Sequence, residues 1–105
     1  MNVSPLPFAL NDANFLKRLR AAAENSARVT ITTHAAQRMK QRKVSFAQVL
    51  TCLQRGTVVE PAALTQYGDW KATVGCKVAG DDIQVAVAIE RDASADWCVV
   101  ITVMN

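Results

Sequence analysis

The chain has a single histidine, His34, followed at four-residue intervals by Arg38 and Arg42. In a helix, consecutive residues turn by about 100°, so these three side chains fall within an arc of about 80° on one face. An imidazole beside two guanidiniums suits phosphate chemistry, because guanidinium grips phosphate oxygens in a two-pronged way and a neutral ring accepts a proton. Metal-free cleavage of an RNA phosphodiester needs a base for the 2′-hydroxyl, cations for the crowded phosphorane and an acid for the departing 5′-oxygen. His34 suits the first task at a helix start, where the positive end of the backbone dipole disfavours imidazolium. Arg38 and Arg42, one and two turns on, suit the second. Lys71, Thr73, Tyr67 and Lys77 are further cations or hydroxyls if the open face of a sheet turns toward this edge. A second acid/base is the missing part, since there is no other histidine.

The same residues also have a structural reading. A lone histidine at a helix start caps or packs, and arginines along a helix edge are commonly solvated. Tyr67, Trp70 and Trp97 read as core or sheet-edge aromatics, and Thr102 as a hydroxyl bonded to neighbouring backbone. Other chemistries lack their parts. The four glycines are scattered, so no phosphate-cradling loop follows a strand. One histidine without a cysteine pair makes no zinc site, and Cys52, Cys76 and Cys98 each sit in an apolar pattern as reduced core residues. No nucleophile elbow is present, and neither cofactor nor metal is expected. Residues 34–55 resemble the spacing of a helix-turn-helix, but the second helix is apolar, with Arg55 its only cation, which argues against groove entry.

The elements that must position these groups can be read in order. Residues 1–10, with Pro5 and Pro7, form an extended lead-in, and residues 11–105 a single domain. Asn11 or Asp12 caps a helix with Phe15, Leu16, Leu19, Ala22 and Ala23 at helical spacing, ended by Glu24-Asn25-Ser26. Arg28 to Thr32 is a short strand or an extended connector. Thr33 then caps the helix that carries His34 and runs to about Lys43. Ser45-Phe46-Ala47-Gln48 has the form of a capping box, with Val44 placed to staple on Val49. Phe46, Val49, Leu50 and Leu53 give that helix an apolar face, and Gly56 ends it. Thr57 to Glu60 is a short strand that Pro61 ends or confines to an edge. Trp70 to Val78 and Ile83 to Ile89 alternate as strands around a turn at Gly80-Asp81-Asp82. Trp97 to Met104 is apolar on both faces apart from Thr102, which predicts a central strand. The resulting class is α+β, with two or three N-terminal helices packed on a three- to four-stranded antiparallel sheet.

With 105 residues, half of them hydrophobic, the chain suffices for one core. No run approaches the roughly 20 apolar residues of a membrane helix, which predicts a cytosolic protein with no membrane partner. The net charge of +3 is unevenly placed: residues 1–56 hold nine Lys and Arg against two acids, residues 57–105 three against seven. The basic helical half can attract RNA, DNA or an acidic protein.

The pattern His34-Ala35-x-x-Arg38-Met39-x-x-Arg42-x-Val44-Ser45, then Val49, Leu53, Gly56, Tyr67-Gly68-x-Trp70 and Val100-Ile101-Thr102-Val103, resembles a small bacterial family, domain of unknown function 4258. That family has been grouped with RelE/ParE-like toxins and their ribonuclease relatives, and the resemblance covers about residues 30–104. It implies a RelE-like fold of helices followed by a four-stranded antiparallel sheet. It also implies RNA cleavage in some relatives, with His34, Arg38 and Thr102 at the family's polar positions. The expectation is therefore a toxin-type, metal-independent endoribonuclease with His34 as base, Arg38 and Arg42 on the phosphate, and Lys71 and Thr102 as further candidates. The alternative is a non-catalytic module of the same fold that docks nucleic acid or an acidic protein, such as an antitoxin, through its basic face. The helix before Arg28 lies outside the resemblance and is free to serve a partner or a homodimer.

Overall fold

The computed structural model describes residues 11–104, so the 1–10 lead-in lies outside the described residues. Helix α1 spans Asp12–Ala23, and Asn11 caps it by accepting from the Asn14 N–H at 2.8 Å. Its apolar stripe of Phe15, Leu19, Ala22 and Ala23 is buried. A 3-10 turn at Ser26–Arg28 leads into β1 (Val29–Ile31), then α2 (Thr33–Arg42) and α3 (Phe46–Arg55). The α3 capping box is complete: Ser45 Oγ accepts from Gln48 N at 3.1 Å, and Gln48 Oε1 accepts from Ser45 N at 2.9 Å. Strands β2 (Thr57–Leu64), β3 (Trp70–Val78), β4 (Asp81–Arg91) and β5 (Asp96–Met104) follow. No helix among the described residues is long and apolar enough to cross a membrane.

Among the described residues the architecture is α+β, with three α-helices and one five-stranded sheet in the order β1-β5-β4-β3-β2. The expected sheet of three or four antiparallel strands is corrected on two counts. Val29–Ile31 is a strand, and it pairs with β5 in parallel, with Val29 opposite Cys98 and Ile31 opposite Val100, which makes the sheet mixed. Three residues carry too little alternation to declare a strand, and a parallel partner so far along the chain leaves no local signal. β5 has neighbours on both sides, as its apolar faces predicted, although β4 holds the middle of the sheet.

Pro61 does not end β2, which runs on to Leu64 as the edge strand, with one register shift between Val58 and Glu60 and a second, between Glu60 and Ala63, that spans the proline. An edge position tolerates the missing N–H, and the Ala62 N–H finds Asp12 Oδ1 at 3.0 Å. The β3–β4 turn lies at Ala79-Gly80, not at Gly80-Asp81-Asp82: Val78 pairs with Asp81, and the two loop residues have φ of 52° and 87°. Such a turn twists with its strands.

Helices α1 and α3 pack with the sheet face formed by Ala72, Val74, Ile83, Val85, Val87, Cys98, Val100 and Val103, all buried. Arg20 ties α1 to the end of α3 by donating to Gly56 O at 2.7 Å, and Arg18 holds Asp96 through two hydrogen bonds of 3.1 and 3.0 Å. Two members of the basic half thus hold the fold together. The opposite sheet face carries Lys71, Thr73 and Lys77 on β3, Ala86 and Ala88 on β4, and Thr102 on β5. A bulge in β5 decides that last placement. Thr102 pairs with Ala86 and Val100 with Val87, so Ile101 is the extra residue between them.

Candidate functional site

The site is built where β1 gives way to α2. Thr32, still extended at φ −66° and ψ 159°, is the N-cap in place of the expected Thr33. The sheet explains the shift. Thr32 N donates to Val100 O at 3.2 Å and Thr32 Oγ1 to Ile101 O at 3.2 Å, while the same hydroxyl accepts from Ala35 N at 3.0 Å. One threonine therefore fastens the first turn of α2 to β5, and buried Ala35 lets the helix approach closely. At the other end Lys43 takes the left-handed conformation that closes α2.

His34 is thus the second residue of α2, and its Nε2 lies 3.1 Å from Thr102 Oγ1. A hydroxyl both donates and accepts, so this bond persists in either tautomer of the ring. Next to it, His34, Gln37, Arg38 and Gln41 line a groove of about 250 Å³. The two carboxamides were missed in the sequence, although the signal was present: positions three and seven beyond His34 lie on the same helical face. Arg42, exposed in the last turn, is outside this groove.

The remaining candidates separate. Lys71 is exposed on β3 opposite Ala88, and with Tyr67 and Ile101 it lines a different hollow on the open sheet face. Thr73 is buried and donates to Glu60 Oε1 at 2.6 Å, so its hydroxyl is occupied and a carboxylate the sequence reading passed over is drawn onto this face. Lys77 stands 3.7 Å from Asp82 beside the hairpin turn, well away from His34 along the strand. Tyr67, read as a core or sheet-edge aromatic, is instead 82% exposed on a loop. Trp70 packs half-buried against the core, and Trp97 donates from Nε1 to Asp92 Oδ2 at 2.6 Å.

Charge on the acidic half is organised by structure. The Ser94 and Ala95 N–H groups, the Ser94 hydroxyl and the Trp97 indole all donate to Asp92, which brings its carboxyl down to about 2. Arg18 holds Asp96 below the usual carboxylate range. The three cysteines are free thiols: Cys52 and Cys98 are buried, Cys76 is half-buried, and Cys52 Sγ meets Cys76 Sγ at 2.6 Å. Burial pushes the Cys52 thiol up to about 12 and the Cys98 thiol up to about 11.

No curated protein and no solved structure matches the chain. One family model does match, over residues 31–105, which takes in α2, the His34 groove, Lys71 and Thr102 and leaves α1 outside. With well over half of its length matched, the chain belongs to the family described as Domain of unknown function (DUF4258).

Proposed function

We propose that this domain is a RelE/ParE-like, metal-independent endoribonuclease whose working groove is the one shared by His34 and Arg38. The observation that supports this reading is the anchored histidine: His34 bonds to Thr102 at 3.1 Å and lines a polar groove together with a guanidinium. In the proposed reaction His34 removes the proton from the ribose 2′-hydroxyl. The 2′-oxygen attacks phosphorus, the bond to the 5′-oxygen breaks, and that oxygen takes a proton from water, whose hydroxide is reprotonated by the His34 imidazolium so that the neutral ring is restored. The products are a 2′,3′-cyclic phosphate and a 5′-hydroxyl. Arg38, with the carboxamides of Gln37 and Gln41, binds the non-bridging oxygens as negative charge grows on them. Thr102 fixes the ring in direction without touching substrate.

The non-catalytic reading has an observation of its own, because the four residues lining the groove include a single acid/base, His34. Incubation of RNA with the protein in EDTA separates the two readings, with wild type set against His34→Ala and Arg38→Ala. Cleavage to cyclic-phosphate ends that falls by about 10²-fold or more in His34→Ala is expected for the nuclease. Equal cleavage in all three proteins, or none, overturns it. RNA binding that persists without cleavage and weakens in Arg38→Ala identifies the docking module.

A further inference from the structure

Beside the His34 groove, the open sheet face carries a hollow of about 510 Å³ lined by Ala63, Leu64, Thr65, Gln66, Tyr67, Lys71 and Ile101. Its volume is that of a small-ligand site. The lining is apolar apart from the loop and one ammonium, and Leu64 and Tyr67 stand 58% and 82% exposed. The backbone that carries Tyr67 is held in a closed turn. Thr65 Oγ1 accepts from the N–H groups of Tyr67 and Asp69, both at 3.2 Å, and Thr65 N donates to Asp69 O at 2.7 Å. Gly68, at φ 87°, closes the turn by donating to Thr65 O at 3.0 Å. A ring carried on a closed turn loses little backbone freedom when something stacks on it.

The hollow also adjoins the candidate site. Ile101, on its wall, is the bulged residue next to Thr102, whose hydroxyl bonds to His34. Across the sheet, Thr102 pairs with Ala86 and Lys71 with the next same-face residue of that strand, Ala88. Only the short side chains of Ala86 and Ala88 lie between them, so nothing bulky on β4 obstructs the face. We infer that this hollow binds one nucleotide of single-stranded RNA flanking the scissile phosphate, its base against Tyr67 and Leu64 and its phosphate on Lys71. RNA as the ligand rests on the proposed function. An exposed aromatic with a cation beside it is the chemistry that holds unpaired bases without demanding a sequence, since every base has a π face.

The test is fluorescence anisotropy with a labelled, uncleavable 2′-O-methyl RNA of about eight nucleotides and the same strand made abasic. Tyr67→Ala is expected to weaken binding of the intact strand about five- to hundredfold, Tyr67→Phe to leave it unchanged, and the abasic strand to lose its sensitivity to Tyr67. Lys71→Met is expected to weaken both strands and to reduce the salt dependence by about one ion. Circular dichroism of each variant checks folding. The inference is overturned if Tyr67→Ala binds within about twofold of wild type, if both strands lose equally, or if the protein binds neither strand. Failure here is distinguishable from failure of the nuclease reading. The expected binding pattern without cleavage in EDTA removes the nuclease and keeps the hollow, whereas His34-dependent cleavage with binding indifferent to Tyr67 does the reverse.

Discussion

His34 Nε2 and Thr102 Oγ1 meet at 3.1 Å, joining the first turn of α2 to the end of β5 across 68 residues of sequence. An exposed imidazole is thereby given a fixed direction by a strand hydroxyl. The first prediction follows from that bond. On the proposed nuclease reading, Thr102→Ser keeps the hydroxyl and is expected to match wild type in RNA cleavage, while Thr102→Val loses the bond and about 1 kcal/mol of positioning, a five- to tenfold fall in kcat. Single-turnover rates check this, and equal rates for the two variants would remove Thr102 from the mechanism.

Arg38 and Arg42 looked equivalent in the sequence, but only Arg38 lines the groove with His34. On the same proposed reading, Arg38→Ala is expected to lower kcat/KM for RNA by at least about tenfold, and Arg42→Ala by no more than about threefold, through general attraction alone. The Arg42 effect should disappear as salt is raised. Parallel kinetics at low and high ionic strength decide it, and a larger loss in Arg42→Ala contradicts the assignment.

The bonds to Asp92 carry a pH dependence. Its folded carboxyl sits at about 2, below the ordinary value, so its contribution to stability is complete above the unfolded value and is lost as pH falls toward 2. Trp97, whose indole N–H donates to Asp92, reports the change. In acid titration the emission of Trp97, measured in a Trp70→Phe background, is expected to change below the normal carboxylate range. Asp92→Asn should remove that transition.

Thiol accessibility gives a fourth prediction. At pH 8 Cys52 and Cys98 are buried and their thiols stand at about 12 and about 11, whereas Cys76 is half-buried. The thiolate is the reactive form. Brief iodoacetamide treatment of the folded protein should place one adduct, on Cys76, and treatment in urea should place three, matching the cysteines of the chain. Intact-mass and peptide mapping test it, and early labelling of Cys52 or Cys98 contradicts their burial.

The β3–β4 turn gives a stability prediction. Ala79 is held at φ 52°, in the left-handed region, immediately before Gly80 at 87°. Alanine is strained there and asparagine much less so, so Ala79→Asn should raise stability by about 0.5–1 kcal/mol, a few degrees in Tm. Thermal melts decide it, and a lower Tm means that the turn differs from the one described.

Much of the architecture was legible because it is written in local periods. The stripes of α1 and α3, the Ser45–Gln48 capping box and the alternation of β3 and β4 each depend on backbone geometry within a few residues. Gln37 and Gln41 were missed, although their helical spacing from His34 carries the same kind of local signal. Features that depend on a distant partner were read less well. The cap falls on Thr32 and not Thr33 because Thr32 is held extended by the hydrogen bonds it donates to the distant carbonyls of Val100 and Ile101. Pro61 allows either a strand end or an edge strand in the sequence, and the structure takes the edge, with the neighbouring Ala62 N–H satisfied by Asp12 on another element.

By itself the sequence determined an α+β chain with a basic helical half, a histidine and arginine on one helix face, and a family membership that names no activity. Tertiary structure alone decided the parallel pairing of β1 with β5, the bulge that turns Thr102 toward His34, and the separation of Lys71 from Arg38 into neighbouring hollows. The physical reason is range. Helical and strand periods are fixed by the dihedral angles of a few adjacent residues, but which hydroxyl faces which imidazole depends on how strands far apart in the chain settle their register.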